Sequence, residues 1–137
     1  MREPSIQTIQ VSTRAVRQFV DITERIQSAV DQSGVREGIC FAFLPHTTAA
    51  LTLNENWDPA VPSDILHTLS TRTAPEDPAH EHAEGNSPAH VLSSLLSADM
   101  FLFVQQGRLV LGSWQGVFLA EFDGPRERRV LVKVVPG

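Results

Sequence analysis

The sequence predicts an α+β domain, a two-layer arrangement of mainly antiparallel, bifurcated sheet with helices on one side. Three observations lead there. Apolar residues recur at helical spacing in three short segments, around Ile22–Val30, Val61–Leu69 and Val91–Leu96. From Met100 onward the chain holds only short apolar runs punctuated by Gln106-Gly107, Gly112-Ser113 and Asp123-Gly124-Pro125. At 137 residues the chain suits one domain, 1–137, long enough to bury a substantial core, with no repeat, low-complexity stretch or linker. The resulting order is ββαββαα followed by four strands.

Each element has a local reason. Ser5 to Thr13 alternates, with Ile9 and Val11 on one face, and Gln18-Phe19-Val20 makes a second short strand. Asp21 or Thr23 caps the first helix, with Glu24 as the reciprocal partner of Asp21 in a capping box. Ile22, Ile26 and Val30 form its buried stripe and Gly34 ends it. Gly38 to Leu44 is apolar on both faces and reads as a fully covered strand. Ala49, Leu51 and Leu53 alternate with polar residues in a half-buried one.

The second helix begins near Asp58-Pro59, Asp58 serving as N-cap, with Val61, Ile65, Leu66 and Leu69 inward. Pro62 argues for a later start. Residues 71–81 read as a polar loop. Ser87-Pro88 marks the third helix, which runs to about Ser97 with Val91, Leu92, Leu95 and Leu96 inward. Met100–Gln105, Arg108–Leu111, Gln115–Phe122 and Arg129–Val135 read as an antiparallel meander.

Composition narrows the function classes. A net charge of −5 argues against a dedicated nucleic-acid binder. Cys40 is the one cysteine, so no internal disulfide forms, which fits a reducing compartment. No apolar run reaches the ~20 residues of a membrane helix. Met1-Arg2-Glu3-Pro4 lacks the apolar core of a signal peptide. The expected location is cytoplasmic, with no membrane partner.

Polar chemistry concentrates in His82-Ala83-Glu84-Gly85-Asn86-Ser87-Pro88-Ala89-His90. His82 falls on a loop and His90 one turn into a helix, and His46, at the end of the Gly38–Leu44 strand, is the distant third candidate. Three neutral imidazoles with an open fourth position suit catalytic zinc, and imidazole serves other divalent metals as well. Glu84 is a candidate general base or partner of a ligating histidine, and Asn86 a helix cap or substrate contact. Ser87, at a helix N-terminus, is a candidate phosphate contact. Glu55 and Asn56 form a second polar concentration, with Asp64 further along the same helix. Gln115 beside Gly116 is placed to approach a ligand, and Arg126, Arg128 and Arg129 are a candidate phosphate-binding group or a solvated turn. Trp114 reads as packing. His67 and His80 read as solvated.

Four motifs occur together: Pro45-His46-Thr47-Thr48-Ala49-Ala50-Leu51; Asn54-Glu55-Asn56 with Asp58-Pro59 and Asp64; His82-x-Glu84-Gly85-Asn86-x-x-Ala89-His90; and Leu111-Gly112-x-Trp114-Gln115-Gly116 with Glu121-Phe122-Asp123-Gly124-Pro125-Arg126. In this order, and over nearly the whole chain, they resemble the YjbQ family, also called UPF0047. The resemblance implies a bifurcated antiparallel sheet and a homotrimer about a threefold axis. It also implies a secondary thiamine-phosphate synthase, a transferase that joins a hydroxymethylpyrimidine diphosphate to a thiazole phosphate and releases pyrophosphate. It puts His46, His82 and His90 at a metal-binding cleft, with Glu84 and Asn86 nearby. Trp57, Pro88 and Ser97 depart from the family's usual residues, and Trp57 replaces a small one at a cleft mouth.

Three functions follow as expectations. The first is an enzyme acting on a small phosphorylated metabolite. Magnesium is the usual ion for departing diphosphate but prefers oxygen ligands, whereas three histidines favour zinc. The second is therefore a zinc-type metal-dependent hydrolase. The third is a trimer that binds a metal or metabolite without turnover.

Overall fold

A computed structural model describes residues 5–137, so the signal-peptide reading of the first four lies outside the described residues. Eight strands and three helices follow the expected α+β class. They are β1 (Gln7–Ser12), β2 (Gln18–Asp21), α1 (Thr23–Ser33), β3 (Gly38–Phe43), β4 (Ala49–Glu55), α2 (Ala60–Thr68), α3 (Ser87–Leu95), β5 (Asp99–Gln105), β6 (Arg108–Leu109), β7 (Gln115–Glu121) and β8 (Glu127–Pro136). All pairings are antiparallel, in a five-stranded sheet β1-β8-β3-β5-β6 and a three-stranded sheet β2-β7-β4. No helix of the described residues is long and apolar enough to cross a membrane.

The two sheets face each other over the main core. Val11, Cys40, Ala42, Val130, Val132 and Val134 come from the large sheet; Leu51, Val117 and Leu119 from the small one; Ile22, Ile26 and Val30 from α1. A second core of Ala50, Ala74, Ala89, Leu92, Ala120 and Phe122 fills the other face of the small sheet, where α2 and α3 cover it. The helices therefore all lie on one side of the large sheet.

The stripe of α1 is as expected, and Gly34 ends the helix with φ 73°, a left-handed conformation glycine adopts freely. The capping box does not form. Asp21 ends β2, Ile22 is the N-cap, and the Asp21 carboxylate accepts from the N–H and hydroxyl of Thr23 at 2.9 and 2.6 Å. Gln27, buried on α1, donates to the Gly107 carbonyl and accepts from the Leu109 N–H, tying the helix to the β5–β6 hairpin. In the second helix the inward residues are half-buried. Pro62 sits in the first turn, where its missing N–H costs nothing, and the helix continues through a π-helical turn at Leu69–Thr73. In α3 the buried residues are Pro88, Ala89 and Leu92, and the expected inward residues Val91 and Leu95 are exposed.

Two strand readings are corrected. The late strands are not a meander. β5 and β6 form a hairpin, but β7 crosses to the centre of the small sheet and β8 returns between β1 and β3. The strand covered on both faces is β7, which lies between the large sheet and the helices, not β3. On β3, Phe41 and Phe43 point to the outer face of the large sheet, joined there by Phe101 and Phe103 of β5. All four are between 47% and 58% exposed in the single chain. Phe41 lies directly opposite Phe101, and the Phe101 and Phe103 rings are 5.6 Å apart.

Candidate functional site

The chain crosses between its sheets three times at one end: from β1 to β2 through residues 13–17, from β3 to β4 through residues 44–48, and from β7 to β8 through residues 122–126. A buried ion pair stitches the crossings together. Glu121 and Arg128 have side chains 0% and 2% exposed and meet in a two-pronged contact, with Nε to Oε1 at 2.9 Å. Arg128 also donates to the Thr48 hydroxyl at 2.8 Å. Glu121 accepts from the Thr13 hydroxyl at 2.7 Å and from the N–H groups of Phe122 and Asp123 at 3.1 Å. Burial alone would raise the Glu121 pKa. The hydrogen bonds from Arg128, Thr13 and the Asp123 backbone outweigh it and hold the carboxyl below its usual range.

The candidate site sits on this scaffold. Asp123 is held by Arg126, whose Nε donates to its carbonyl at 2.8 Å and whose Nη2 reaches its carboxylate at 3.0 Å. The Asn86 amide donates to the same carboxylate oxygen at 2.8 Å, and its own Oδ1 is buried without a partner. The Asn86 carbonyl accepts from the N–H groups of Ala89 and His90, and Gly85, at φ 70°, turns the chain so that its N–H reaches the His82 carbonyl. His82 and His90 are thereby brought together, ring centroids 5.2 Å apart and nearly perpendicular at 81°.

His46 is placed differently. Its Nε2 accepts from the Arg129 N–H at 3.1 Å. Burial first, then the charges of Arg128 and Arg129, lower its pKa, which suits a neutral ring accepting a hydrogen bond. Among the described residues no three His, Cys, Asp or Glu side chains form a group able to hold a metal ion. The expected trio of His46, His82 and His90 is thus not assembled within one chain: two of the three meet, and the third is engaged with β8.

The remaining candidates separate. Glu84 is exposed in the turn between the two histidines. Ser87 belongs to a helix end poorer in donors than expected. Pro88 has no N–H, and the N–H groups of Ala89 and His90 are spent on Asn86, which leaves those of Asn86 and Ser87. Arg128 is withdrawn from the arginine group by Glu121, so Arg126 is the guanidinium beside the histidine segment. Glu55 and Gln115 pair at one end of β4 and β7, while Ala49 and Glu121 pair at the other. Six residues at about 3.3 Å each put them about 20 Å away. Gln115 accepts from the Gly112 N–H, and Asp64 is exposed on α2. Asp123, which the sequence places in a turn and in the fourth motif but not among the candidate site residues, organises the site.

The profile of the UPF0047 protein YjbQ-like family matches residues 7–137. The chain belongs to the YjbQ/UPF0047 family. It is 45% identical to the UPF0047 protein MJ1081 of Methanocaldococcus jannaschii, over 92% of this chain and 91% of that one. It is 38% identical to the UPF0047 protein YugU of Bacillus subtilis, over 95% and 98%. Among solved structures, a YjbQ/UPF0047 protein of Clostridium acetobutylicum superposes with a TM-score of 0.91 at 44% identity, covering 94% of this chain and 99% of that one. A YbjQ-like protein of unknown function from Sulfolobus solfataricus gives 0.92 at 34%, covering 98% and 99%. The YjbQ-like family and fold are therefore as the motifs implied.

Proposed function

We propose that this YjbQ-family chain is an enzyme acting on a phosphorylated small molecule, bound where Arg126, Asn86 and the His82–His90 pair meet. The observation that carries the reading is the Asp123-held guanidinium of Arg126, joined through Asn86 to two imidazoles on one short segment. Arginine in a fixed orientation suits phosphate oxygens. Imidazole is the side chain best matched to proton transfer near neutral pH. The unpartnered Asn86 Oδ1 calls for a donor from a ligand, because a buried acceptor without one is costly.

In the thiamine-phosphate synthase-like form of the reading, a carbon–oxygen bond to diphosphate breaks, pyrophosphate leaves with the bonding electrons, and a ring nitrogen of the thiazole phosphate takes its place on carbon. Arg126 steadies the leaving charge, and His82 or His90 donates a proton to it. One chain brings together two imidazoles, one short of the three protein ligands that catalytic zinc takes. A divalent cation enters the proposal as a companion of the phosphate, magnesium through phosphate oxygens or zinc through the two imidazoles. Assembly as a homotrimer belongs to the same reading. The outward phenylalanines of β3 and β5 support self-association, since an apolar face of this kind marks an interaction surface.

A second reading, a metal-dependent hydrolase, is favoured by the close pairing of His82 and His90. Metal-defined protein assayed with hydroxymethylpyrimidine diphosphate plus thiazole phosphate, and separately with phosphate esters, decides between the two. Condensation that is supported by magnesium and lost in His90→Ala and Arg126→Ala sustains the first. Zinc-dependent ester hydrolysis without condensation replaces it with the second. Binding of the same compounds with no turnover under any metal sinks both.

A further inference from the structure

The chain's two tryptophans stand together, far from the histidines. Trp57 lies in the β4–α2 connection and Trp114 in the β6–β7 connection, ring centroids 6.0 Å apart at 66°, edge towards face. They are 76% and 58% exposed, two of the largest apolar side chains left to water. They are not loosely placed. The Asn56 N–H donates to the Trp114 carbonyl at 3.0 Å, and the Asn56 amide to Asp21 at 3.0 Å. The Asp58 N–H donates to Glu55 at 3.3 Å, and the Asp58 carboxylate accepts from the Ala60 N–H at 2.9 Å. Gly116 lets the turns close up, because a Cβ there would run into the Asn56 side chain.

Three carboxylates are tied to the turn that carries Trp57: Asp21 through the Asn56 amide, Glu55 through the Asp58 N–H, and Asp58 as the next residue. The ion pairs among the described residues, Arg126–Asp123 and Arg128–Glu121, lie at the opposite end of the small sheet. Two indoles set at a wide angle make two walls of a corner, and among the described residues no ion pair engages the carboxylates beside them. An anion is repelled there. A plain hydrocarbon uses the rings but not the charge. An organic cation uses both, through the negative faces of the indoles and the field of the carboxylates. A primary ammonium holds its water too strongly to gain much at so open a site. An N-methylated ammonium, with its charge spread over methyl groups, does not.

We infer that the Trp57–Trp114 corner is a second binding site, for a small quaternary or N-methylated ammonium ion. It is independent of the phosphate-binding reading above, and about 20 Å from the histidine end of the sheet.

The sequence supplies its own reporter. With no tyrosine and two tryptophans in the chain, near-ultraviolet emission comes almost entirely from this corner. The intact protein is titrated with choline chloride, with 3,3-dimethyl-1-butanol as the uncharged isostere, and with potassium chloride at matched ionic strength. Expected is a saturable change with choline, at least about tenfold weaker with the alcohol and absent with potassium. Trp57→Ala, at an exposed position and checked for folding by circular dichroism, abolishes saturation. Asp58→Asn, which keeps the acceptor for Ala60, weakens it several-fold. His90→Ala and Arg126→Ala leave the choline titration unchanged, so this site and the phosphate site fail separately. Equal binding of the alcohol reduces the corner to an apolar patch and overturns the inference. Blue-shifted emission that choline does not alter also overturns it, because another molecule then covers the rings.

Discussion

The β7–β8 corner carries two arginine–carboxylate pairs, one nested inside the other. The outer pair, Glu121 with Arg128, is sealed off, and every polar neighbour is satisfied by Thr13, Thr48 or the backbone. The inner pair, Asp123 with Arg126, has an arginine side chain 51% exposed and shares its carboxylate with Asn86. The same chemistry thus does two jobs a few residues apart. Enclosed, it locks two sheets to each other; open to water, it orients a guanidinium at the surface.

The contrast is sharpest in stability. Arg128→Ala strands a buried carboxylate and is expected to cost about 3–5 kcal/mol, a large part of a domain's total. Replacing the pair together, Arg128→Met with Glu121→Leu, recovers part of that loss, because apolar side chains of similar size need no partner while the Asp123 N–H loses its acceptor. Urea denaturation measures both, and a single mutant within about 1 kcal/mol of the parent would overturn the assignment of Arg128 as the lock. Arg126→Ala is the opposite case. Its stability effect stays under about 1 kcal/mol, while affinity for a phosphorylated ligand falls roughly 10- to 100-fold, as expected for a lost charge-assisted hydrogen bond. Calorimetric titration of parent and variant with the same phosphate compound tests this.

Acid separates the pairs further. The Glu121 pKa is lower in the folded chain than in the unfolded one, so its contribution is complete above the ordinary carboxylate range. It drains away as pH falls below the ordinary carboxylate value of about 4.3, where the unfolded chain takes up the proton first, and is gone once the folded-state carboxyl is protonated too. Melting temperature followed from pH 7 to 3 should show this loss, with a flatter profile in Glu121→Gln. The smallest effect belongs to His46. Its folded pKa is also depressed, so the unfolded chain binds the proton first and stability declines as pH drops below about 6.5. His46→Asn should remove that shallow slope between pH 7 and 5. An unchanged slope would mean that another group titrates there.

The sequence made the local pieces legible. The stripe of α1, its Gly34 stop and the Gln106-Gly107 hairpin turn are all short-range signals, and the pairing of His82 with His90 spans one turn and one helix start. What it hid was long-range. Arg128 was read with Arg126 and Arg129 as one basic cluster, yet it lies in phase with Val130, Val132 and Val134, the inward set of β8. Glu121 is likewise in phase with Val117 and Leu119 on a strand covered on both faces. Two opposite charges at inward positions of different strands had to meet, and period-two alternation, applied strictly, would have paired them. The covering of β3 was misread for a related reason. Apolar residues on both faces of a strand do not tell which face its own chain covers: Phe41 and Phe43 stay about half exposed on the outer face of the large sheet.

The strand order also bears on how the chain is made. In the large sheet β8 lies between β1 and β3, and in the small sheet β7 lies between β2 and β4. β7 and β8 are made after β1 to β6, and they are the neighbours that β1, β2 and β4 need. Before β7 and β8 are made the nascent chain can hold helices and the β3-β5-β6 part of the large sheet, but β1, β2 and β4 have no strand partner. Both sheets close only once the C-terminal strands arrive, so this is a fold completed late, with its apolar edges left to the care of the cell until then.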